Sequence, residues 1–196
     1  DSSNSEHPYI LTKECVGKAE QIFDSFVNVN FIEEDTTVVI PNKSSNVVEK
    51  HEELWQKVWT PYDNDELQEL IDIRGNRLDK NDLLPYFNGK KCVDFGSGNG
   101  SFSFALLERG AESVHGIDFG KDQVSRAVEA SKQRKVEGVS KFEVGDVLKT
   151  SFKDDSFDFA LSNAVFHHLA TKEDMQTAIH EVSRVLRKGS YFWYFV

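Results

Sequence analysis

The sequence predicts an α/β protein, a doubly wound and mostly parallel sheet behind a mainly helical N-terminal extension. Three observations predict it. From Lys90 onward, short apolar runs alternate with helix-like stretches, as in a parallel sheet with helical crossovers. The first run, Cys92 to Phe95, breaks into three alternate glycines, Gly96, Gly98 and Gly100, before an apolar helix-like run opens at Ser101. Acids recur at the ends of successive predicted strands, at Asp94, Asp118 and Asp146.

The 196 residues suffice for one core plus an appendage, and 39% hydrophobic with 29% charged is ordinary for a globular protein. No run approaches a membrane span, and no charged-then-apolar leader precedes residue 20, so no membrane partner is expected. Cys15 and Cys92 are distant in sequence, and Cys92 lies in a predicted central strand. That favours reduced thiols and a cytoplasmic setting over a disulfide or metal site. The net charge of −10 is uneven: residues 1–88 hold 18 acids and 8 bases, residues 89–196 hold 15 of each. An acidic front face repels phosphate backbones, which argues against nucleic acid as a partner.

In chain order, apolar positions at helical spacing from Val16 to Phe26 predict a helix over 12–27. The β-branched run Thr36 to Ile40, stopped by Pro41, predicts a short strand. Asn46 to Glu49 has the form of a capping box, and the helix it opens ends before Pro61. Asp65 caps a further helix expected to end near Gly75, and 81–87 is a connector. Then come predicted strands at 91–95, 113–118, 140–145, 157–162 and 190–196, with helices at 100–109, 121–136 and 172–187. The expected division is an extension over 1–88 and a nucleotide-type domain over 89–196.

Ligands of such sheets lie at the carboxyl ends of the strands. A tight turn after the first strand needs glycine where a ligand approaches bare backbone. The dinucleotide fingerprint G-x-G-x-x-G is absent, because its sixth position is Ser101. A carboxylate two residues before the first glycine is a poor neighbour for a pyrophosphate but suits a cationic ligand end. Asp118, 24 residues after Asp94, stands at the interval where an acid meets ribose hydroxyls.

The pattern Asp94-x-Gly96-Ser97-Gly98-x-Gly100, with Asp118, Asp146 and the exit Ser162-Asn163-Ala164-Val165, resembles the type 11 (ubiquinone-biosynthesis-like) branch of class I S-adenosylmethionine-dependent methyltransferases over residues 90–196. The resemblance implies a Rossmann-like methyltransferase fold, S-adenosylmethionine as cofactor and a small-molecule methyl acceptor. It places Gly96, Ser97, Gly98 and Gly100 at the methionine end and Asp94 on the amino group. Asp118 falls on the ribose, Phe119 against adenine, Asp146 and the Val147 amide at the adenine edge, and Asn163 under the sulfonium. By position, residues 1–85 resemble the variable helices that roof the site and choose the substrate. One departure is Leu186-Arg187-Lys188-Gly189-Ser190, which lacks the family's usual proline and second glycine before the last strand.

If the acceptor keeps a proton, a base is required, and His167 and His168 follow the fourth predicted strand on the rim where the acceptor must lie. The bland alternative is one stacked loop histidine and one helix cap. Trp59 and Tyr62 are candidate roof residues, although core packing suits them as well. Rival readings are a cofactor-binding but inactive subunit and a nicotinamide oxidoreductase. The aromatic strand Tyr191 to Val196 is expected to be an unpaired edge. Two explanations are expected for it: a shortened chain, or pairing in a homodimer.

Overall fold

The computed structural model describes residues 10–12, 64–169 and 171–195. Their elements are β1 (Ile10–Thr12), α1 (Asn64–Lys80), α2 (Leu84–Phe87), β2 (Lys91–Phe95), α3 (Ser101–Glu108), β3 (Ser113–Asp118) and α4 (Lys121–Gln133). There follow β4 (Ser140–Val144), β5 (Phe157–Asn163), a 3₁₀ turn (Phe166–His168), α5 (Lys172–Val185) and β6 (Leu186–Phe195). The six strands form one sheet in the order β1-β6-β5-β2-β3-β4. Strands β2 to β6 run parallel, and β1 joins β6 antiparallel.

Burial on both faces explains why the central strands read as continuous apolar runs. Successive residues alternate between two cores. Cys92, Phe159, Leu161 and Trp193 face the cluster built with α1, α3 and α4, including Ile71, Leu78, Phe102, Leu106 and Ala127. Val93, Phe95, Ala160 and Phe192 face the other cluster, with Ala178, Val182 and Val185 of α5. The fold is therefore the doubly wound, Rossmann-like sheet that the sequence predicts. The chain passes from β2 to β3 on one side and returns through β5 on the other, so the turn after β2 opens at the switch point.

Several expectations are corrected. Helix α1 does not stop near Gly75 but continues to Lys80. A Cβ at Gly75 would lie 1.9 Å from the Arg109 guanidinium, so this glycine permits close packing, with Arg109 held on Asp79. The connector 81–87 contains the short helix α2, opened by Pro85 near its start. Helix α5 ends at Val185, and β6 begins at once with Leu186, using Gly189 at φ +82° in place of the missing Pro-Gly turn. The last strand is also not an unpaired edge, because Ile10, Leu11 and Thr12 pair with Trp193, Phe192 and Tyr191. That removes the ground for a homodimer through this edge. Thr12 is thus in a strand; the rest of the helix expected over 12–27, the strand at 36–40, the helix after Asn46, Trp59 and Tyr62 lie outside the described residues. Among the described residues, no helix is long and apolar enough to cross a membrane.

Candidate cofactor and methyl-transfer site

The turn after β2 is built by backbone that only glycine adopts readily. Gly96, Gly98 and Gly100 have φ of +79°, +52° and +83°. Two are also hemmed in: a Cβ on Gly96 would lie 2.1 Å from Val165, and one on Gly100 would lie 2.9 Å from Phe104. Gly98 is different, since a Cβ there would meet nothing within 4 Å. Its glycine leaves open space on the side where a ligand would approach.

The loop's amides are mostly spent inside the protein. Gly96 N and Ser97 N donate to Ile117 O at 2.8 and 3.0 Å, and Gly100 N donates to Ser97 O. Gly98 N donates to Asp118 Oδ2 and Gly120 N to Asp118 Oδ1, both at 2.8 Å. Ser101 N, at the start of α3, donates to Asn99 Oδ1. Asp118 therefore clamps the two loops that flank β2 and β3, and further lone pairs of its carboxylate are left to accept from a ligand. Burial raises its pKa, opposed by these two amides.

Asp94 is 1% exposed and accepts from Ser103 Oγ at 2.7 Å. Burial pushes its pKa up to about 7; the Ser103 hydroxyl opposes the rise, the Asp118 charge adds to it, and Arg74 opposes it. Two acids thus share one poorly solvated corner, which a ligand cation would neutralise. Phe119 is 47% exposed at the end of β3, an apolar ring left facing solvent. Val144, which ends β4 opposite Asp118, is also exposed. Asp146 closes its own turn, accepting from Leu148 N at 2.8 Å, and Val147 packs on the second core.

Asn163 ends β5, where its Oδ1 accepts from Arg77 of α1 at 2.8 Å. The same guanidinium lies 3.8 Å from the centre of the Phe195 ring. His167 and His168 sit exposed on the 3₁₀ turn with ring centroids 3.8 Å apart. Neither caps α5, whose N-cap is Thr171, accepting from Asp174 N. Buried Cys92 has its thiol pKa raised by burial, so it is no nucleophile.

Sequence reasoning missed Ser103, Gln123, Asn99, Arg74 and Arg77. Ser103 stands in an apolar run, and nothing in that run shows that it faces Asp94. Gln123 and Asn99 carried no motif, and the two arginines read as ordinary helix-surface charges.

A glycine turn at the switch point, a carboxylate pair beside it and an exposed ring at the next strand end define a class I S-adenosylmethionine-dependent methyltransferase domain. The chain belongs to the methyltransferase-domain family (type 11), which matches residues 93–194. It is 32% identical over 104 residues to sterol methyltransferase-like 3 of Botryococcus braunii, covering 53% of this chain and 26% of that protein. It is 31% identical over 102 residues to the uncharacterised methyltransferase YcgJ of Bacillus subtilis, covering 52% and 38%. The crystal structure of the PH0226 protein of Pyrococcus horikoshii superposes with a TM-score of 0.55 at 31% identity, covering 61% and 57%. The chain thus spans well under half the length of these two sequence relatives.

The cofactor is accordingly S-adenosylmethionine, and the residues present fit it. Ser97 Oγ, Asn99 Nδ2 and both amide atoms of Gln123 are buried without a hydrogen-bond partner. Such groups are costly unless something satisfies them, and they lie in the glycine loop and in the first turn of α4, beside Asp118. Among the described residues, no group of three metal-ligating side chains occurs.

Proposed function

We propose that this protein transfers a methyl group from S-adenosylmethionine to a small-molecule acceptor. The observation that carries the reading is the Asp118 clamp on Gly98 and Gly120, which orders a glycine loop while leaving Gly98 facing open space. When bound, S-adenosylmethionine supplies a methyl group on a sulfonium, an excellent leaving group.

The chain's own residues then bind, align and, where needed, deprotonate. Asp94 balances the ammonium, and Asp118 accepts from the ribose hydroxyls. Phe119 packs on the adenine, whose edge meets Asp146 and the Val147 amide. Asn163, steadied by Arg77, borders the methyl-bearing region at the end of β5. Holding both reactants in line and excluding water supplies most of the acceleration. His167 or His168 takes the acceptor's proton where one must leave. Choice of the acceptor falls to the extension over residues 1–88, of which α1 and α2 also pack into the sheet's own core.

A small acceptor rather than nucleic acid follows from the acidic front segment. It follows too from the exit Ser162-Asn163-Ala164-Val165, which lacks the Asn/Asp-Pro-Pro-aromatic element of many base amino-methyltransferases. Calorimetry with S-adenosylmethionine, S-adenosylhomocysteine and NADH tests the cofactor. Binding of the first two but not the third is expected. Methyl transfer to a metabolite panel, with bulk tRNA alongside, tests the acceptor; methylation confined to the RNA would refute the small-molecule reading.

A further inference from the structure

The segment between β4 and β5 carries Asp146 and Val147, which the proposed function places at the adenine edge. Its turn hangs between two anchors. On one side Gly145 N donates to Asp118 O at 2.9 Å. On the other, the first residue beyond the turn, Thr150, gives both its backbone N–H and its hydroxyl to Glu181 Oε1 of α5, each at 2.6 Å. Arg184, one turn further along α5, grips Glu181 with two nitrogens, Nε on Oε2 at 2.8 Å and Nη2 on Oε1 at 2.6 Å. Its Nη1 reaches Phe152 O at 2.8 Å and Asp154 Oδ1 at 2.6 Å, and Arg184 O accepts from Asp155 N. A surface ion pair alone is worth little. This one is different, because its further bonds all go to one loop: the Thr150 N–H and hydroxyl, Phe152 O, the Asp154 carboxylate and Asp155 N.

We propose that Glu181 and Arg184 are positioning residues for the adenine end of the cofactor site, setting where Asp146 stands through Thr150. This rests on the function proposed above. The bidentate guanidinium, then the Thr150 donors, hold the Glu181 carboxyl down to about 2 against the cost of burial, so the latch stays charged at any physiological pH. Neither residue is placed to touch the cofactor. Their removal therefore weakens recognition of the adenine amino group and not of the methionine end.

The test compares calorimetric affinities of the full chain for S-adenosylhomocysteine and S-inosylhomocysteine, which lacks that amino group. The parent is expected to prefer the first by about 10- to 100-fold, the scale of one hydrogen bond to a charged group. In Glu181→Ala the preference is expected to fall to within about threefold of unity, while S-inosylhomocysteine affinity changes little. Glu181→Gln, which still accepts from Thr150, is expected to restore a good part of it. Thr150→Val removes only the hydroxyl donor and is expected to fall between them; it also serves as the second variant should Glu181→Ala not fold. A purely structural role would lower both affinities and the melting temperature together, and that outcome overturns the proposal. So does an unchanged preference in the variants, or no preference in a parent that binds S-adenosylhomocysteine. A parent that binds neither ligand refutes the cofactor reading itself, and the proposal falls with it.

Discussion

Replacing Asp94 with asparagine separates what this buried acid costs from what it does. Its carboxyl is 1% exposed and lifted from 3.8 to about 7. That is about three pH units, or ~4 kcal/mol at 1.36 kcal/mol per unit. Because the folded value lies above the unfolded one, the stabilising contribution is fully present below pH 3.8 and is lost as pH rises through about 7. The native ligand-free protein therefore carries an unfavourable ionised carboxylate at pH 8. The substituted amide keeps an oxygen for Ser103 but adds two N–H donors, which recovers only part of that cost. Asp94→Asn is expected to stabilise the ligand-free protein by about 1–3 kcal/mol at pH 8 and by nothing at pH 4. Urea unfolding at half-unit pH steps measures it. The same variant should bind S-adenosylhomocysteine much more weakly, because the ammonium loses its counter-charge. In the parent, that ammonium should drive Asp94 to ionise, so binding at pH 6 should release a proton, visible as buffer-dependent calorimetric enthalpies. Parallel stability curves for parent and variant between pH 5 and 8.5 would refute the argument, since they would mean that Asp94 is solvated.

Three further outcomes are expected. Asp118→Ala should weaken S-adenosylhomocysteine binding by about 1.5–3 kcal/mol, and amide exchange should show Gly98 and Gly120 losing protection as the clamp goes. Gly98→Val and Gly96→Ala should differ in kind. The first meets no atom at its Cβ but puts a β-branched residue at φ +52°, costing about 1–2 kcal/mol, and should still fold and fail to bind; the second, also at positive φ, drives a methyl into Val165 as well and should lose more stability, read as a lower melting temperature. Changing His167 and His168 in turn to Gln should cut turnover by about 10²-fold for one of them at nearly constant cofactor affinity, and a flat result for both would show that alignment alone suffices.

Period and punctuation carried most of the fold. The central strands β2, β3 and β5 were legible because burial on both faces favours near-continuous apolar runs, the edge strand β4 only by its place in the alternation of strands with helices, and the glycine turn because its positive φ angles admit little else. The order of acids along the strand ends was legible for the same reason, since a parallel sheet brings successive carboxyl ends to one rim. What the sequence by itself could not determine are the contacts between separate elements, whether nine residues apart or nearly the whole chain. Gly75 looked like a helix stop, but it is a gap for Arg109, and only packing reveals that. Ser103 became Asp94's partner, and Arg77 became Asn163's across 86 residues, because the helices docked where they did. The last strand looked bare because its partner, Ile10–Thr12, is too short to show a pattern and lies almost the whole chain away. Local preference and periodicity act over a few residues, whereas hydrogen bonds between distant side chains exist only after the core has closed.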